Sequence, residues 1–111
     1  MNAWSLDKHK NLKVLLITLQ AQLANNSFCV SGETDDNFNA VFLIKPEQPA
    51  LRAYVFTYGQ PPDKYGIHLE YPGPDDNNFN NSIQTYENMS LQQIVDALVM
   101  HFEISDYEMA V

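Results

Sequence analysis

Cysteine and glycine are scarce in this chain of 111 residues. Cys29 is the only cysteine, so no disulfide can form within the chain and the fold depends on its hydrophobic core. A lone thiol suits a reducing compartment, which predicts a cytoplasmic location. The four glycines, at positions 32, 59, 66 and 73, cannot be assembled into a glycine-rich phosphate loop. We therefore expect no bound nucleotide.

Long apolar runs and metal-ligand spacings are also missing. No apolar run approaches the ~20 residues that a helix needs to span a bilayer. Lys8, Lys10 and Lys13 lie inside the first apolar region rather than ahead of it, which does not fit a signal-peptide pattern. One cysteine and the scattered His9, His68 and His101 do not form a zinc set. The sequence therefore predicts no membrane segment, no metal and no cofactor.

Positively charged residues are also scarce. The chain holds 14 acidic and 6 basic residues, a formal net charge of −8, and no lysine or arginine follows Lys64. Eight acidic residues do follow it: Glu70, Asp75, Asp76, Glu87, Asp96, Glu103, Asp106 and Glu108. Phosphate binding needs clustered positive charge, which disfavours nucleic acid and anionic membranes as direct partners. A basic protein is the natural complement, although the charge could equally serve only solubility.

The remaining sequence predicts one domain over residues 1–111. Hydrophobic residues make up 45% of the chain, which is ordinary for a globular protein. A first helix is expected to begin near Ser5, with Asp7 in its first turn and an end at Asn25 and Asn26. Its apolar stripe consists of Leu12, Leu15, Leu16, Leu19 and Leu23.

Five strands are predicted to follow the first helix. Alternating apolar and polar residues indicate strands at residues 28–31, 38–45, 51–58, 65–71 and 82–86, with Pro46 and Pro49 ending the second. A closing helix is indicated by a capping box of Ser90 and Gln93. The strands are joined by links too short for parallel crossovers, so we expect an antiparallel sheet. The fold class is therefore α+β, with both helices on one face of the sheet.

The other sheet face is the first candidate binding surface. If strands three and four pair in register, it carries Tyr54, Phe56, Tyr58, His68 and Glu70. Aromatic residues are enriched at protein interfaces, so this set could bind a partner. The alternative is that the rings form a second part of the core.

Catalytic chemistry is not indicated by any residue set. His68 and Glu70 would share a strand face, where they could act as an acid–base pair or form a surface ion pair. No nucleophile or oxyanion donor is placed beside them by the sequence, so the ion pair is the preferred interpretation. Cys29 is flanked by Phe28 and Val30, which is typical of a small buried apolar residue. We therefore predict that the protein is not an enzyme.

A long polar loop from Pro72 to Asn81 is the second candidate binding surface. Asp75 and Asp76 make the loop acidic, and Phe79 is isolated among polar neighbours. An exposed Phe79 could anchor the loop in a basic cleft, or the ring could fold back onto the core. Both interpretations remain open.

Taken as a whole, the chain resembles the immunity proteins of bacterial toxin systems, and most of all those of contact-dependent growth inhibition. The resemblance lies in its size, acidity, single Cys29, expected cytoplasmic location and lack of a catalytic set. It includes no diagnostic motif, so no residue role is transferred. It implies a partner that is a basic toxin domain, often a nuclease, bound and neutralised in the producing cell. The alternative is a secretion chaperone that binds an effector as a homodimer.

Overall fold

A computed structural model describes residues 8–20, 27–32, 37–72 and 82–102 of the protein. In these ranges, two helices flank five strands in the order predicted from the sequence. The elements are α1 (Lys10–Thr18), β1 (Cys29–Val30), β2 (Ala40–Lys45), β3 (Gln48–Phe56), β4 (Tyr65–Tyr71), β5 (Ser82–Met89) and α2 (Leu91–His101). The predicted α+β class, with an antiparallel sheet between an N-terminal and a C-terminal helix, is confirmed.

The sheet is a simple meander. Its strands lie in the order β1-β2-β3-β4-β5, and each neighbouring pair is antiparallel, as short connections require. Strands β3 and β4 pair in the expected register, with Arg52 opposite Glu70 and Tyr54 opposite His68. The connection between them turns at Gly59 and Asp63, which both adopt positive φ. Side chains that alternate on β3 and β4 are therefore aligned across the two strands.

Both helices pack against the aliphatic face of the sheet. On β3 this face carries Leu51, Ala53 and Val55, which are all buried. They form one core with the apolar sides of α1 and α2 and the inward residues of the other strands. The fully buried members include Leu12, Leu15, Leu16, Leu19, Phe28, Val41, Leu43, Ile67, Ile94 and Leu98. Each such side chain stabilises the fold by roughly 1.5–3 kcal/mol relative to exposure.

Three specific contacts fasten the helices to the sheet. The Tyr65 hydroxyl on β4 donates to the backbone oxygen of Asn11 on α1 at 2.8 Å. Lys45 Nζ donates to the backbone oxygen of Phe102 at 3.1 Å, where a cation complements the C-terminal end of α2. The Phe102 ring stacks on Phe28 at 5.2 Å between ring centroids. These contacts hold the ends of both helices over the aliphatic face.

The expected start of the first helix near Ser5 is wrong. Helix α1 begins at Lys10, and its N-cap is His9, whose ring Nδ1 accepts a hydrogen bond from the Asn11 amide. The His9 amide donates to the Phe38 carbonyl at 2.7 Å, which holds this residue in an extended conformation. A tertiary bond thus sets the helix start. Ser5, Asp7, Leu23, Asn25 and Asn26 lie outside the described residues.

Several strand boundaries also differ from expectation, most clearly at the start of β3 and the end of β5. Pro46 follows β2 as predicted, but Pro49 lies inside β3, which begins at Gln48. The register shifts between Ile44 and Lys45 opposite this segment, and an irregular ladder tolerates a proline that cannot donate. Strand β5 extends beyond Tyr86 to Met89, where the sequence predicted a shorter strand.

The predicted capping box of α2 is confirmed. The Ser90 hydroxyl accepts from the Gln93 amide at 3.2 Å, and the Gln93 side chain accepts from the Ser90 amide at 2.8 Å. The helix then presents Ile94, Val95 and Leu98 to the core, as the helical spacing predicts.

His101, at the end of α2, is buried rather than exposed. Its side chain is only 5% exposed, and its Nε2 donates to the backbone oxygen of Arg52 at 2.8 Å. Burial lowers the pKa of His101, although the bond to Arg52 opposes the shift. The imidazole is therefore held neutral. At the C-terminal end of α2, this side chain therefore contributes a hydrogen bond to the sheet.

Mild acid should destabilise the fold through His101. The unfolded imidazole has the ordinary pKa of 6.5 and the folded one a lower pKa, so the unfolded state gains its proton first. The contribution of His101 to the free energy of unfolding should be fully present above pH 6.5. It should fall as the pH drops toward the folded pKa. Urea titrations at a series of pH values would measure this decline. In His101→Gln, whose amide can still donate to Arg52, the decline should be shallower.

The matched control for this experiment is Met100→Gln, which places the same side chain on the exposed neighbouring position of α2. It should keep the wild-type dependence on pH. A His101→Gln variant with an unchanged decline would contradict the assignment to His101.

Candidate functional site

Five ring-bearing side chains meet on the sheet face opposite the helices. This aromatic face consists of Phe42 on β2, Tyr54 and Phe56 on β3, Tyr58 just after β3, and His68 on β4. Alternation along each strand turns these residues away from the core, and the register places Tyr54 between Phe42 and His68. Of the five, Tyr54, Phe56, Tyr58 and His68 were predicted to share this face.

The rings of the aromatic face touch one another in a continuous layer. The centroid of Tyr54 lies 4.8 Å from that of Phe42 and 5.7 Å from that of His68. Phe56 lies 5.1 Å from His68 and stacks on Tyr58 at 4.7 Å. All four distances are in the range of favourable aromatic pairs, each worth about 0.5–1.5 kcal/mol beyond area burial. The layer is therefore held together by its own packing.

Phe56 is buried although it lies on the outer face. Its side chain is 5% exposed, because the ring lies directly over Gly66 on the neighbouring strand. A Cβ at position 66 would overlap the Phe56 ring, so only glycine leaves room for it. Tyr58, by contrast, is 48% exposed. Phe56 thus forms the floor of the aromatic face, and Tyr58 is accessible to a partner.

The tyrosines at positions 54 and 58 interact through their hydroxyls. The oxygen atoms of Tyr54 and Tyr58 lie 3.2 Å apart, so one hydroxyl donates to the other. Burial raises the pKa of Tyr54 to about 12, with smaller contributions from the hydrogen bond and charge of Tyr58. The Tyr54 phenol therefore stays uncharged at neutral pH and presents a fixed polar group beside the rings.

A salt bridge borders the aromatic face at the Phe42 side. Arg52 Nε donates to Glu70 Oε1 at 2.8 Å, across the β3–β4 pairing. The Arg52 guanidinium also lies over the Phe42 ring, 4.5 Å from its centroid, which is a cation–π contact. The side chains of Arg52 and Glu70 are 32% and 13% exposed, so a partner can still reach the guanidinium.

His68 and Glu70 share the face as predicted, but the ion pair of Glu70 is made with Arg52. His68 lies instead against the rings of Tyr54 and Phe56. A carboxylate that orients a histidine base is the usual arrangement in acid–base catalysis. Here the carboxylate is bound to a guanidinium instead.

Cys29 lies in the short edge strand β1 and is half-buried, opposite Ile44 on β2. Within residues 8–20, 27–32, 37–72 and 82–102, no cluster of three histidine, cysteine or acidic residues is close enough to hold a metal ion. In the same ranges, neither helix has the length and apolarity to cross a membrane.

Three of the predicted partner-binding residues belong to the segment between β4 and β5. Asp75, Asp76 and Phe79 lie outside the described residues. All six basic residues are described, whereas the described acids are Glu47, Asp63, Glu70, Glu87 and Asp96. After Lys64, then, the described charges are three carboxylates and no cation. The remaining acidic residues lie outside the described residues.

Two members of this site were missed from the sequence. Phe42 was recognised as a strand residue, but its place beside Tyr54 depends on the β2–β3 register, which no local pattern reveals. Arg52 belongs to the same alternating set as Tyr54 and Phe56, which places it on the face, but it was not predicted as a partner-binding residue.

A groove was also missed, between β5 and α2 on the helix side of the sheet. Its cavity of about 300 Å³ is lined chiefly by Leu69, Tyr71, Tyr86, Met89, Met100 and His101. Met100 is 79% and Tyr86 45% exposed, so apolar surface borders its mouth. Its lining comes from β4, β5 and α2, so it depends on sheet pairing and helix placement together.

Comparison with known proteins finds no family model that fits this chain, and no match among curated proteins or solved structures.

The contact between Phe56 and Gly66 should be measurable as an energetic coupling. Gly66→Ala should lower the free energy of unfolding by about 1–3 kcal/mol, because the added methyl overlaps a ring with little room to move. In a Phe56→Ala background most of that cost should disappear, which a double-mutant cycle in urea would show.

Gly59→Ala provides the control for this cycle. Nothing lies within 4 Å of a Cβ at Gly59, and its cost comes from the positive φ of 71° alone. That cost should be equal in both backgrounds. A Gly66→Ala cost that does not depend on Phe56 would contradict the proposed packing.

Proposed function

We propose that this protein is a non-enzymatic binding protein, and that it acts as an immunity protein that binds and neutralises a cognate toxin domain. The observation that carries the proposal is the aromatic face, which the two helices leave on the far side of the sheet. Tryptophan, tyrosine and arginine are enriched among the residues that dominate binding energy. Tyr54, Tyr58 and Arg52 supply these groups on one surface.

The aromatic face is suited to tight binding because its side chains are already ordered. Immobilising a flexible side chain at an interface costs about 0.5–1.5 kcal/mol. Here the Tyr54 hydroxyl is bonded to Tyr58, and Arg52 is held by Glu70 and Phe42. Little of that cost remains to be met on binding. A nanomolar complex, which needs about 12 kcal/mol, becomes attainable from a few well-packed anchors.

Charge supports a basic partner. The net charge of −8 attracts a positively charged domain over distances of about a Debye length. A toxin nuclease fits this requirement, since an active site that holds phosphates is basic. Glu70 and Glu87 are the described carboxylates on β4 and β5, while Asp75 and Asp76 add acidity in the sequence between these strands. The complex should therefore weaken as salt is added.

A secretion chaperone is the second candidate, and the groove between β5 and α2 favours it. Chaperones of this kind hold unfolded effector segments on apolar surface, and Tyr86 and Met100 offer such surface. The two functions differ in what is bound and where. An immunity protein binds a folded toxin domain, for which we propose the aromatic face, whereas a chaperone binds an unfolded segment in the groove.

A matched pair of tyrosines separates these functions. Tyr58 on the aromatic face and Tyr86 at the groove are 48% and 45% exposed, so truncation removes the same side chain at similar exposure. Tyr58→Ala should weaken toxin binding by about tenfold or more, as expected for an interface anchor, while Tyr86→Ala should change it little. Calorimetry with the toxin domain captured from the native host, and rescue of cells that express it, are the measurements.

Thermal unfolding of both variants checks that the fold is intact. The immunity function is contradicted if capture from the native host yields no basic toxin fragment. Binding that depends on Tyr86 and not on Tyr58 would favour the chaperone.

A further inference from the structure

Strand β5 is an open edge of the described sheet. It is eight residues long and pairs with β4 on one side only, whereas the opposite edge strand, β1, has two residues. Residues 83 to 88 are all exposed. The outward backbone amides and carbonyls of such a strand are matched best by another extended strand.

Lysine and proline, two usual protections of an edge, are missing from β5, although the strand is bulged at its far end, near Glu87 and Asn88. Folded proteins often guard an edge with lysine, proline or a very short strand. The sequence of β5 is SIQTYENM, which holds no lysine and no proline. Its single charged residue, Glu87, accepts a hydrogen bond from the Gln60 side chain at 3.0 Å. The Gln60 side-chain carbonyl accepts from the Asn88 amide at 2.7 Å, so the edge is closed at that end. The open part therefore ends at Glu87.

We propose that β5 pairs with β5 of a second copy of this chain, antiparallel and about a two-fold axis at Thr85. In an antiparallel pair, opposite side chains point to the same side of the sheet, which requires the two-fold axis to pass through a residue position. Thr85 is the midpoint of residues 83–87. Ile83 then lies opposite Glu87, and Gln84 opposite Tyr86. No carboxylate faces another, because the central residues of β5 are uncharged.

Apolar side chains flank the new contact on both sides of the sheet. Ile83, 56% exposed, lies on the outer face and would be covered by the added strand. On the helix side, Tyr86 of the second copy would lie beside Gln84, at the groove that Tyr86 and Met100 border. The pairing thus gains backbone hydrogen bonds and buries exposed apolar surface together. Because residues 83–86 carry no charge, two identical strands can meet there without like charges opposite each other.

Electrostatics gives the dimer a distinctive dependence on salt. Each copy carries a net charge of −8, so the two copies repel each other at low ionic strength. Added salt screens this repulsion, and the dimer should become tighter as salt increases. Binding of a basic toxin domain should show the opposite dependence. The two associations can therefore be distinguished even if one of them fails.

Light scattering after size exclusion, at several protein and salt concentrations, tests the proposal. The wild type should dimerise, and Gln84→Lys with Thr85→Lys should weaken dimerisation by about tenfold or more, because like charges then meet across the axis. The two lysines reduce the net negative charge, so a loss of dimer cannot come from overall repulsion. The control is Gln20→Lys with Gln48→Lys, two exposed positions away from β5, which should dimerise at least as well as wild type.

A cysteine pair tests the register. In a Cys29→Ser background, Thr85→Cys should form an intermolecular disulfide under mild oxidation, since facing Cα atoms of antiparallel strands lie about 4.5–5.5 Å apart. Gln20→Cys in the same background should not. A wild type that stays monomeric overturns the proposal and leaves the edge to a partner's strand or to other residues of this chain. A dimer that withstands both lysines overturns it as well.

Discussion

The division of the sheet into two chemically different faces is the constraint on which the rest of the structure depends. On β3, Leu51, Ala53 and Val55 alternate with Arg52, Tyr54 and Phe56. The first set is buried under α1 and α2, and the second forms the aromatic face and its border. A slip of one residue in the pairing would exchange the two sets and place a guanidinium in the core. The pairing register therefore determines which side chains each face of the sheet presents.

The alternation that defines these faces was readable from the sequence, and so was much of the fold. The bounds of β4 were predicted to the residue, because its pattern has a clean period of two. The capping box of Ser90 and Gln93 was also predicted, since both partners lie within one helical turn. The start of α1 was not, because the bond from His9 to Phe38 joins residues far apart in the chain.

The candidate site shows the same boundary between local and long-range information. Tyr54, Phe56, Tyr58, His68 and Glu70 were placed on one face by alternation together with an assumed pairing of strands three and four. Phe42 enters the site only through the β2–β3 register, and the bulge near Lys45 makes that register hard to infer. The need for glycine at position 66 likewise becomes evident only when the Phe56 ring is seen above it. Asp75, Asp76 and Phe79 remain predictions.

A face and an edge of the same sheet can serve two partners without competition. The aromatic face presents side chains, so it can discriminate between protein surfaces by shape and charge. The edge of β5 presents backbone groups, which fit a strand. A two-fold axis through Thr85 perpendicular to the sheet keeps the aromatic faces of both copies on one side. In the proposed dimer, each copy would therefore retain its own aromatic face for a toxin domain. The face of the sheet would bind the toxin domain, and the edge would bind the second copy.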